Sequence, residues 1–155
     1  PGVPFLKDCE KAKGTFFVPT ISAGKYVAEQ AKLPGVYHPL VVPKALEIGP
    51  QIQETFKKAY KRGVKIAFGT DAGVYPHGDN GKEFTFMVEL GMPAMEAIKS
   101  ATVVNAQILG MSDKIGAIEP GMLADIVATN ENPLKSIKTL ANVSFVMKDG
   151  VIYKQ

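Results

Sequence analysis

The feature that most constrains the fold of this chain is a short apolar run that stops at a charged turn. Residues Val64–Phe68 read VKIAF, a run of small, apolar and β-branched residues that predicts a buried strand. Gly69-Thr70-Asp71 follows at once, and the stretch after it is rich in glycine. In α/β folds, functional groups gather where a strand ends and a loop begins. Asp71 therefore lies where a chemical role is expected.

Helix and strand patterns alternate around this run. The segment TFFVPT, at Thr15–Thr20, predicts another buried strand, because its apolar residues do not alternate with polar ones. Residues 22–32 are predicted as a helix. Residues 34–50 contain four prolines and are predicted as a long loop that serves or covers a site. The segment QIQETFKKAYKRG, at Gln51–Gly63, predicts an amphipathic helix that Gly63 ends.

Further helices and a strand-rich end complete the order. Glu83–Leu90 is predicted as one helix, and a second helix is predicted to start at Pro93 and to end at Gly110. Near the C-terminus, Asp149-Gly150 lies between two apolar runs and predicts a type I′ hairpin turn. Alternating strands and helices predict an α/β fold with a parallel sheet and right-handed crossovers. Since two parallel strands cannot bury both faces alone, we expect the chain to be part of something larger.

Composition limits the classes of function. The net charge of +3 over 155 residues is small and dispersed, so it gives no reason to expect a nucleic-acid partner. The single cysteine, Cys9, excludes an intrachain disulfide. It lies in residues 1–13, which are interpreted as the tail of a helix that Gly14 ends, and with no histidine nearby it is not expected to be a nucleophile. No apolar run has the length of a membrane helix and no signal-peptide pattern is present, so we expect a cytoplasmic protein.

Asp71 has two interpretations that its spacing leaves equally open. Its carboxylate could bind a divalent metal or accept a proton from a metal-bound water. It could equally cap the next helix or stabilise a turn, because Asp before Ala-Gly readily forms an Asx-turn. His77 on the same loop is either a solvent-exposed residue, the simpler interpretation, or a ligand of metal or substrate. Asn80 is either a turn residue or a substrate contact.

Several segments of the chain resemble the metal-dependent amidohydrolases, in the branch related to imidazolonepropionases and Xaa-Pro dipeptidases (prolidases). VKIAFGTDAGVYPHGDNGKEF is similar to the eighth-strand segment of that family, and GTFFVPT is similar to the strand before it. GMPAMEAIKSATVVNAQILGM resembles the helical segment after the last barrel strand, IGAIEPGMLADIVAT the return into a small β-sandwich, and VMKDGVIY its closing hairpin. The resemblance implies the C-terminal part of a (β/α)8 TIM barrel, strands 7 and 8 with their helices, over residues 1–112. Strands of the β-sandwich are then expected over residues 113–155.

The resemblance also implies a chemistry. The family hydrolyses amide or related C–N bonds with a water activated by one or two divalent metals, usually zinc. Asp71 matches the family's metal ligand and proton shuttle, so it is the expected catalytic residue. Tyr26, His77 and Asn80 are the expected contacts of a small amide or dipeptide substrate, although Tyr26 could equally be a surface residue of a helix. Asp125 matches a residue that is structural in the family.

The chain departs from the family pattern in one respect that matters for activity. The pattern needs a His-x-His pair on the first strand, a Lys or Glu on the fourth, and His ligands on the fifth and sixth. The sequence has two histidines, His38 and His77, and neither fits those positions. The resemblance thus implies that the chain alone lacks most metal ligands, binds zinc weakly or not at all, and is inactive. Two alternatives follow: one half of a split enzyme that needs the N-terminal barrel portion, or a fragment that forms a homo-oligomer by pairing strand edges.

Overall fold

The structure, a computed structural model, describes residues 13–155. The predicted helix over residues 1–13 and Cys9 lie outside the described residues, except Lys13, which is helical. The helices are α1 (Ile21–Gln30), α2 (Val42–Lys61), α3 (Lys82–Glu89), α4 (Ala94–Ala101) and α5 (Val103–Ile108), with short 3-10 helices at Asp79–Gly81 and Ile137–Ala141. The strands are β1 (Ile126–Ala128), β2 (Phe145–Lys148) and β3 (Val151–Lys154). Across residues 13–155, no helix has both the length and the apolar character to cross a membrane.

The two segments predicted as buried strands lie side by side and run parallel. Phe17 and Ile66 form a parallel bridge. The Phe17 N–H donates to the Lys65 carbonyl oxygen at 2.9 Å, and the Ala67 N–H donates to the Phe17 carbonyl oxygen at 3.0 Å. Both strands are therefore shorter than predicted. Pro19 has no N–H to continue the ladder on its segment.

The core lies between these parallel segments and helices α1 to α4. Its buried members are all apolar: Ile21, Phe56, Ala59, Val64, Ile66, Met87, Met92 and Ala97. The predicted apolar face of α2 is confirmed, because Phe56 and Ala59 are fully buried while Ile52 and Tyr60 pack against the core. Burying this face, at roughly 25 cal/mol per Å² of apolar surface, holds α2 against the parallel segments.

The predicted loop over residues 34–50 is wrong in its second half, because α2 begins at Val42 and continues through Pro50. Pro43 lies in the first turn, where a backbone N–H has no intrahelical partner in any case. Gly49 lets α2 approach α1 so closely that a Cβ there would lie 2.8 Å from a backbone oxygen of α1. Packing of α2 against its neighbour thus outweighs the cost of an interior proline, about 3 kcal/mol.

The helix predicted from Pro93 to Gly110 is divided into two. Pro93 is the extended N-cap, with ψ 144°, so α4 starts at Ala94. Thr102 separates α4 from α5 with φ −113° and ψ −94°, and its hydroxyl donates to the Ile98 carbonyl oxygen at 2.9 Å. Such bonds from threonine to the preceding turn compete with the helical backbone. The stop at Gly110 is confirmed by its φ of 65°.

The C-terminal residues form an antiparallel sheet in the order β1-β2-β3. The predicted type I′ turn is confirmed, since Asp149 and Gly150 have φ of 50° and 76°. The Asp125 carboxylate accepts hydrogen bonds from Lys148 Nζ and from the Asp149 N–H, each at 2.8 Å. The hydrogen bond from Lys148 holds the pKa of Asp125 below its usual value. This geometry agrees with the structural role that the resemblance gives Asp125. The predicted domain boundary at residue 112 stays a prediction.

Candidate functional site

The carboxyl ends of the two parallel segments form the candidate site. Each end carries a residue other than glycine with positive φ, which is 45° for Thr20 and 53° for Asp71. Positive φ is uncommon outside glycine and is strained for a β-branched residue. The two ends are in close contact, because a Cβ on Gly69 would collide with the Val18 side chain. Strained backbone that the surrounding structure maintains is concentrated at functional sites.

Asp71 presents an exposed carboxylate. The turn after it is closed by its backbone, since the Val74 N–H donates to the Asp71 carbonyl oxygen at 3.2 Å. Within residues 13–155, the carboxylate takes part in no hydrogen bond or ion pair, and the caps of the following helices are Gly78 and Gly81. Neither an Asx-turn nor a helix cap therefore uses the carboxylate. This geometry leaves it available to a ligand, and the metal and proton-transfer roles stay predictions.

Tyr26 lies beside the loop that carries Asp71. It is half-buried on α1, and its ring centroid lies 6.2 Å from that of Tyr75, with the ring planes at 48°. Tyr75 is 5% exposed, and its hydroxyl has no hydrogen-bond partner among the described residues. The structure thus brings Tyr26 to the candidate site and adds Tyr75, which sequence patterns did not single out. The one sequence signal for Tyr75 is an aromatic residue in a glycine-rich loop after a strand.

His77 and Asn80 differ in how the loop uses them. His77 is exposed. Both polar side-chain atoms of Asn80 are engaged within the loop: Nδ2 donates to Thr70 Oγ1 at 3.0 Å, and Oδ1 accepts from the Gly78 N–H at 3.2 Å. Asn80 therefore ties its loop to the residue that precedes Asp71. Contact of His77 or Asn80 with a substrate stays a prediction.

Glu83 is a residue of this site that sequence analysis missed. Its side chain is fully buried, and its carboxylate accepts hydrogen bonds from the Ile21 N–H at 2.8 Å, the Ser22 N–H at 2.7 Å and Ser22 Oγ at 2.6 Å. The first N–H groups of a helix lack intrahelical partners, so Glu83 on α3 caps α1. Burial raises the pKa of Glu83, and the three hydrogen bonds oppose that rise. The available sequence signal was an acid one helical turn before the buried Met87.

The described residues do not form a metal site by themselves. Within residues 13–155, no three or more His, Cys, Asp or Glu side chains are grouped so that they could hold a metal ion. A catalytic zinc normally has three protein ligands. Asp71 supplies one carboxylate and does not fit a metal without ligands from elsewhere.

The chain belongs to the amidohydrolase family, whose family model matches residues 6–153. It is 55% identical to a Xaa-Pro dipeptidase solved with methionine bound in its active site, with a TM-score of 0.91, over 96% of this chain and 36% of that chain. Ochratoxinase from Aspergillus niger is 38% identical over 106 residues, 65% of this chain and 22% of its own length.

A 5-methylthioadenosine/S-adenosylhomocysteine deaminase from Thermoanaerobacter pseudethanolicus is 31% identical over 146 residues, 81% of this chain and 31% of the deaminase. The chain therefore spans little more than a third, at most, of the length of these relatives. The family relationship confirms the resemblance recognised in the sequence and implies a TIM-barrel-type fold.

Proposed function

We propose that this chain is the C-terminal part of a metal-dependent amidohydrolase that hydrolyses a peptide-like or cyclic C–N bond in a small molecule. The single observation that carries the proposal is the position of Asp71, an unengaged carboxylate on strained backbone at the end of a parallel segment. In this proposal the segments around Phe17 and Ile66 are barrel strands 7 and 8. An Xaa-Pro dipeptide is the substrate class we propose, since the dipeptidase matches 96% of this chain.

Asp71 would move a proton during the reaction. In C–N hydrolysis the water oxygen bonds to the carbonyl carbon, the C–N bond breaks, and one water proton passes to the leaving nitrogen. A carboxylate within hydrogen-bond reach of both atoms can accept this proton and then deliver it. A divalent metal such as zinc would lower the pKa of the water to about 7, with its other ligands supplied from outside residues 13–155.

Substrate contacts would come from the loop of Asp71 and from α1. Tyr26 has the strongest support, because its ring packs beside Tyr75 on that loop and its hydroxyl could hold a substrate carboxylate. The exposed His77 would face the same space. The Asn80 side chain would contact substrate only if it broke its hydrogen bonds to Thr70 or Gly78.

The rest of the barrel would come from further sequence of the same polypeptide or from a second chain. Large apolar side chains remain exposed on the described residues, including Val18 on a parallel segment (44%), Ile118 (82%) and Val127 on β1 (57%). An open, mainly apolar cavity of about 640 Å³ lies between α4, α5 and β1. A homo-oligomer that covers the same surfaces is the second candidate.

The proposal is tested by substituting Asp71→Asn in the purified protein, in the assembly in which it is isolated. We expect release of proline from Xaa-Pro dipeptides by the wild-type assembly and a loss of about 100-fold or more in kcat for the variant. Asp79→Asn on the same loop is the matched control, since that exposed carboxylate pairs only with Lys82 in the described residues. Wild-type activity in the Asp71→Asn variant would contradict the proposal, as would turnover by the 155-residue chain alone.

A further inference from the structure

One short segment, Asn80–Glu83, contacts the ends of both parallel segments. Its first residue bonds to the residue before Asp71, and its last residue bonds to the residues after Thr20. Of the three residues contacted in this way, Thr70 and Ile21 are directly adjacent to the two strained positions of the candidate site, Asp71 and Thr20. This arrangement links two points of the chain that are far apart in sequence.

The contact at the Asp71 end depends on a side-chain amide. Asn80 Nδ2 donates to Thr70 Oγ1 at 3.0 Å, while its Oδ1 accepts from the Gly78 N–H at 3.2 Å. The side chain therefore fixes Thr70, and with it the direction in which the backbone enters the left-handed residue Asp71. Thr70 and Asn80 are both half-buried, so this bond is partly shielded from water.

The contact at the Thr20 end replaces a local cap. Threonine is a favoured N-cap residue, but it caps a helix from an extended backbone. Thr20 is left-handed, with φ 45° and ψ 51°, and makes no side-chain cap bond to α1. Both carboxylate oxygens of Glu83 take over that task at Ile21 and Ser22. The strained conformation of Thr20 thus coexists with hydrogen bonds to the first two N–H groups of α1.

The segment Asn80–Glu83 also packs against residues nearer the C-terminus. A Cβ on Gly81 would lie 2.5 Å from the Leu140 carbonyl oxygen and 2.5 Å from Ala141 Cα. Backbone therefore packs directly on backbone at this point, and only glycine fits there. The 3-10 helix Ile137–Ala141 therefore packs directly against Asn80–Glu83.

We propose that Asn80–Glu83 is a positioning brace, in which Asn80 and Glu83 hold Asp71 and Thr20 in register and so set where the Asp71 carboxylate points. The positioning role rests on the proposed function of Asp71. A brace of this kind accounts for three features together: the interhelical cap by Glu83, the full engagement of Asn80, and the glycine between them. Misplacement of a reacting group by about 1 Å can cost about 100-fold in rate.

The test uses a matched pair at Thr70 and an isosteric change at Glu83. Thr70→Val removes the acceptor of Asn80 and keeps the side-chain shape, whereas Thr70→Ser retains a hydroxyl. Glu83→Gln keeps the shape but offers one acceptor oxygen in place of two. Glu96→Gln is the control, because Glu96 is exposed on α4 and forms an i,i+3 ion pair with Lys99, outside the brace. If Glu83→Gln fails to fold, the half-buried Thr70 pair still decides the outcome.

The first readout is hydrogen exchange of backbone amides, which is independent of activity. We expect Thr70→Val to speed exchange at Ile21 and Ser22 as well as at Val74, and Glu83→Gln to speed exchange at Val74 as well as on α1. Thr70→Ser and Glu96→Gln should leave all of these amides as slow as in the wild type. The brace would be overturned if Thr70→Val changed exchange only at Val74, or if Glu83→Gln changed exchange only on α1.

The second readout is the kinetics of C–N hydrolysis. We expect Thr70→Val and Glu83→Gln to lower kcat about tenfold to 100-fold with KM within about twofold, and Thr70→Ser to restore kcat. Coupled exchange with unchanged kcat would overturn the positioning role. If the wild-type assembly releases no proline from Xaa-Pro dipeptides, the proposed function fails separately, and the exchange data alone decide whether the brace fixes the backbone of Asp71.

Discussion

Two structural carboxylates of this chain are expected to respond to pH in opposite directions. Glu83 is buried, which raises its pKa, whereas the hydrogen bond from Lys148 lowers the pKa of the exposed Asp125. The three hydrogen bonds to Glu83 keep the buried carboxyl satisfied in spite of its desolvation. Asp125 gives a built-in comparison for any pH effect assigned to Glu83.

We expect the Glu83 carboxyl to make the folded state less stable as pH rises. Burial raises its pKa in the folded protein, so the folded state binds the proton more tightly than the unfolded state. Its contribution to the free energy of unfolding is then full below the unfolded pKa, falls through the window up to the folded pKa, and is constant above it. Glu83→Gln should remove this slope, as measured by chemical denaturation between about pH 4 and pH 8.

Asp125→Asn gives the contrasting control. The folded pKa of Asp125 is lowered, so its contribution is present above the unfolded pKa and is lost as pH falls through the folded pKa. The substitution should therefore flatten the acid side of the profile and leave the Glu83 slope in place. An identical pH slope in the wild type and in Glu83→Gln would contradict the assignment.

At the scale of elements, the contact between α1 and α2 depends on a glycine in each helix. A Cβ added to Gly49 would lie 2.8 Å from the Gly24 carbonyl oxygen and 2.9 Å from Ala28 Cβ. We expect Gly49→Ala to lower the free energy of unfolding by about 1–3 kcal/mol, because overpacking outweighs the better helix propensity of alanine. Gln51→Ala, exposed on the same helix, is the control, and chemical denaturation is the measurement. A more stable Gly49→Ala protein would show that the helices separate easily.

Elements that depend on residues close in sequence could be predicted, whereas elements that depend on packing between helices could not. The apolar face of α2 and the Asp149-Gly150 turn were predicted, since each is set by residues close in sequence. The start of α2 at Val42 was not predicted, because proline statistics oppose a helix and packing on α1 decides it. The break at Thr102 was missed for a related reason, since threonine is tolerated in many helices.

At the scale of the whole molecule, the α/β class and the family followed from the sequence, whereas the extent of parallel pairing did not. An edge strand leaves a row of backbone N–H and C=O groups unpaired unless another strand lies beside it. The described residues give Phe17 and Ile66 one such neighbour each, namely the other segment. Asp71 was singled out because functional groups gather where strands end, and its catalytic role stays a prediction. Glu83 was not singled out, because helical spacing does not reveal which element will cover an acid.

Native mass spectrometry of the purified protein, wild type and Asp71→Asn, tests the central claim most directly. The claim is that Asp71 contributes to a metal centre completed by other parts of an amidohydrolase barrel. We expect a wild-type assembly larger than this 16.6 kDa chain, with one or two divalent metal ions bound, and reduced metal occupancy in Asp71→Asn. Asp79→Asn should match the wild type. A metal-free chain or metal-free homo-oligomer, or full occupancy in Asp71→Asn, would contradict the account.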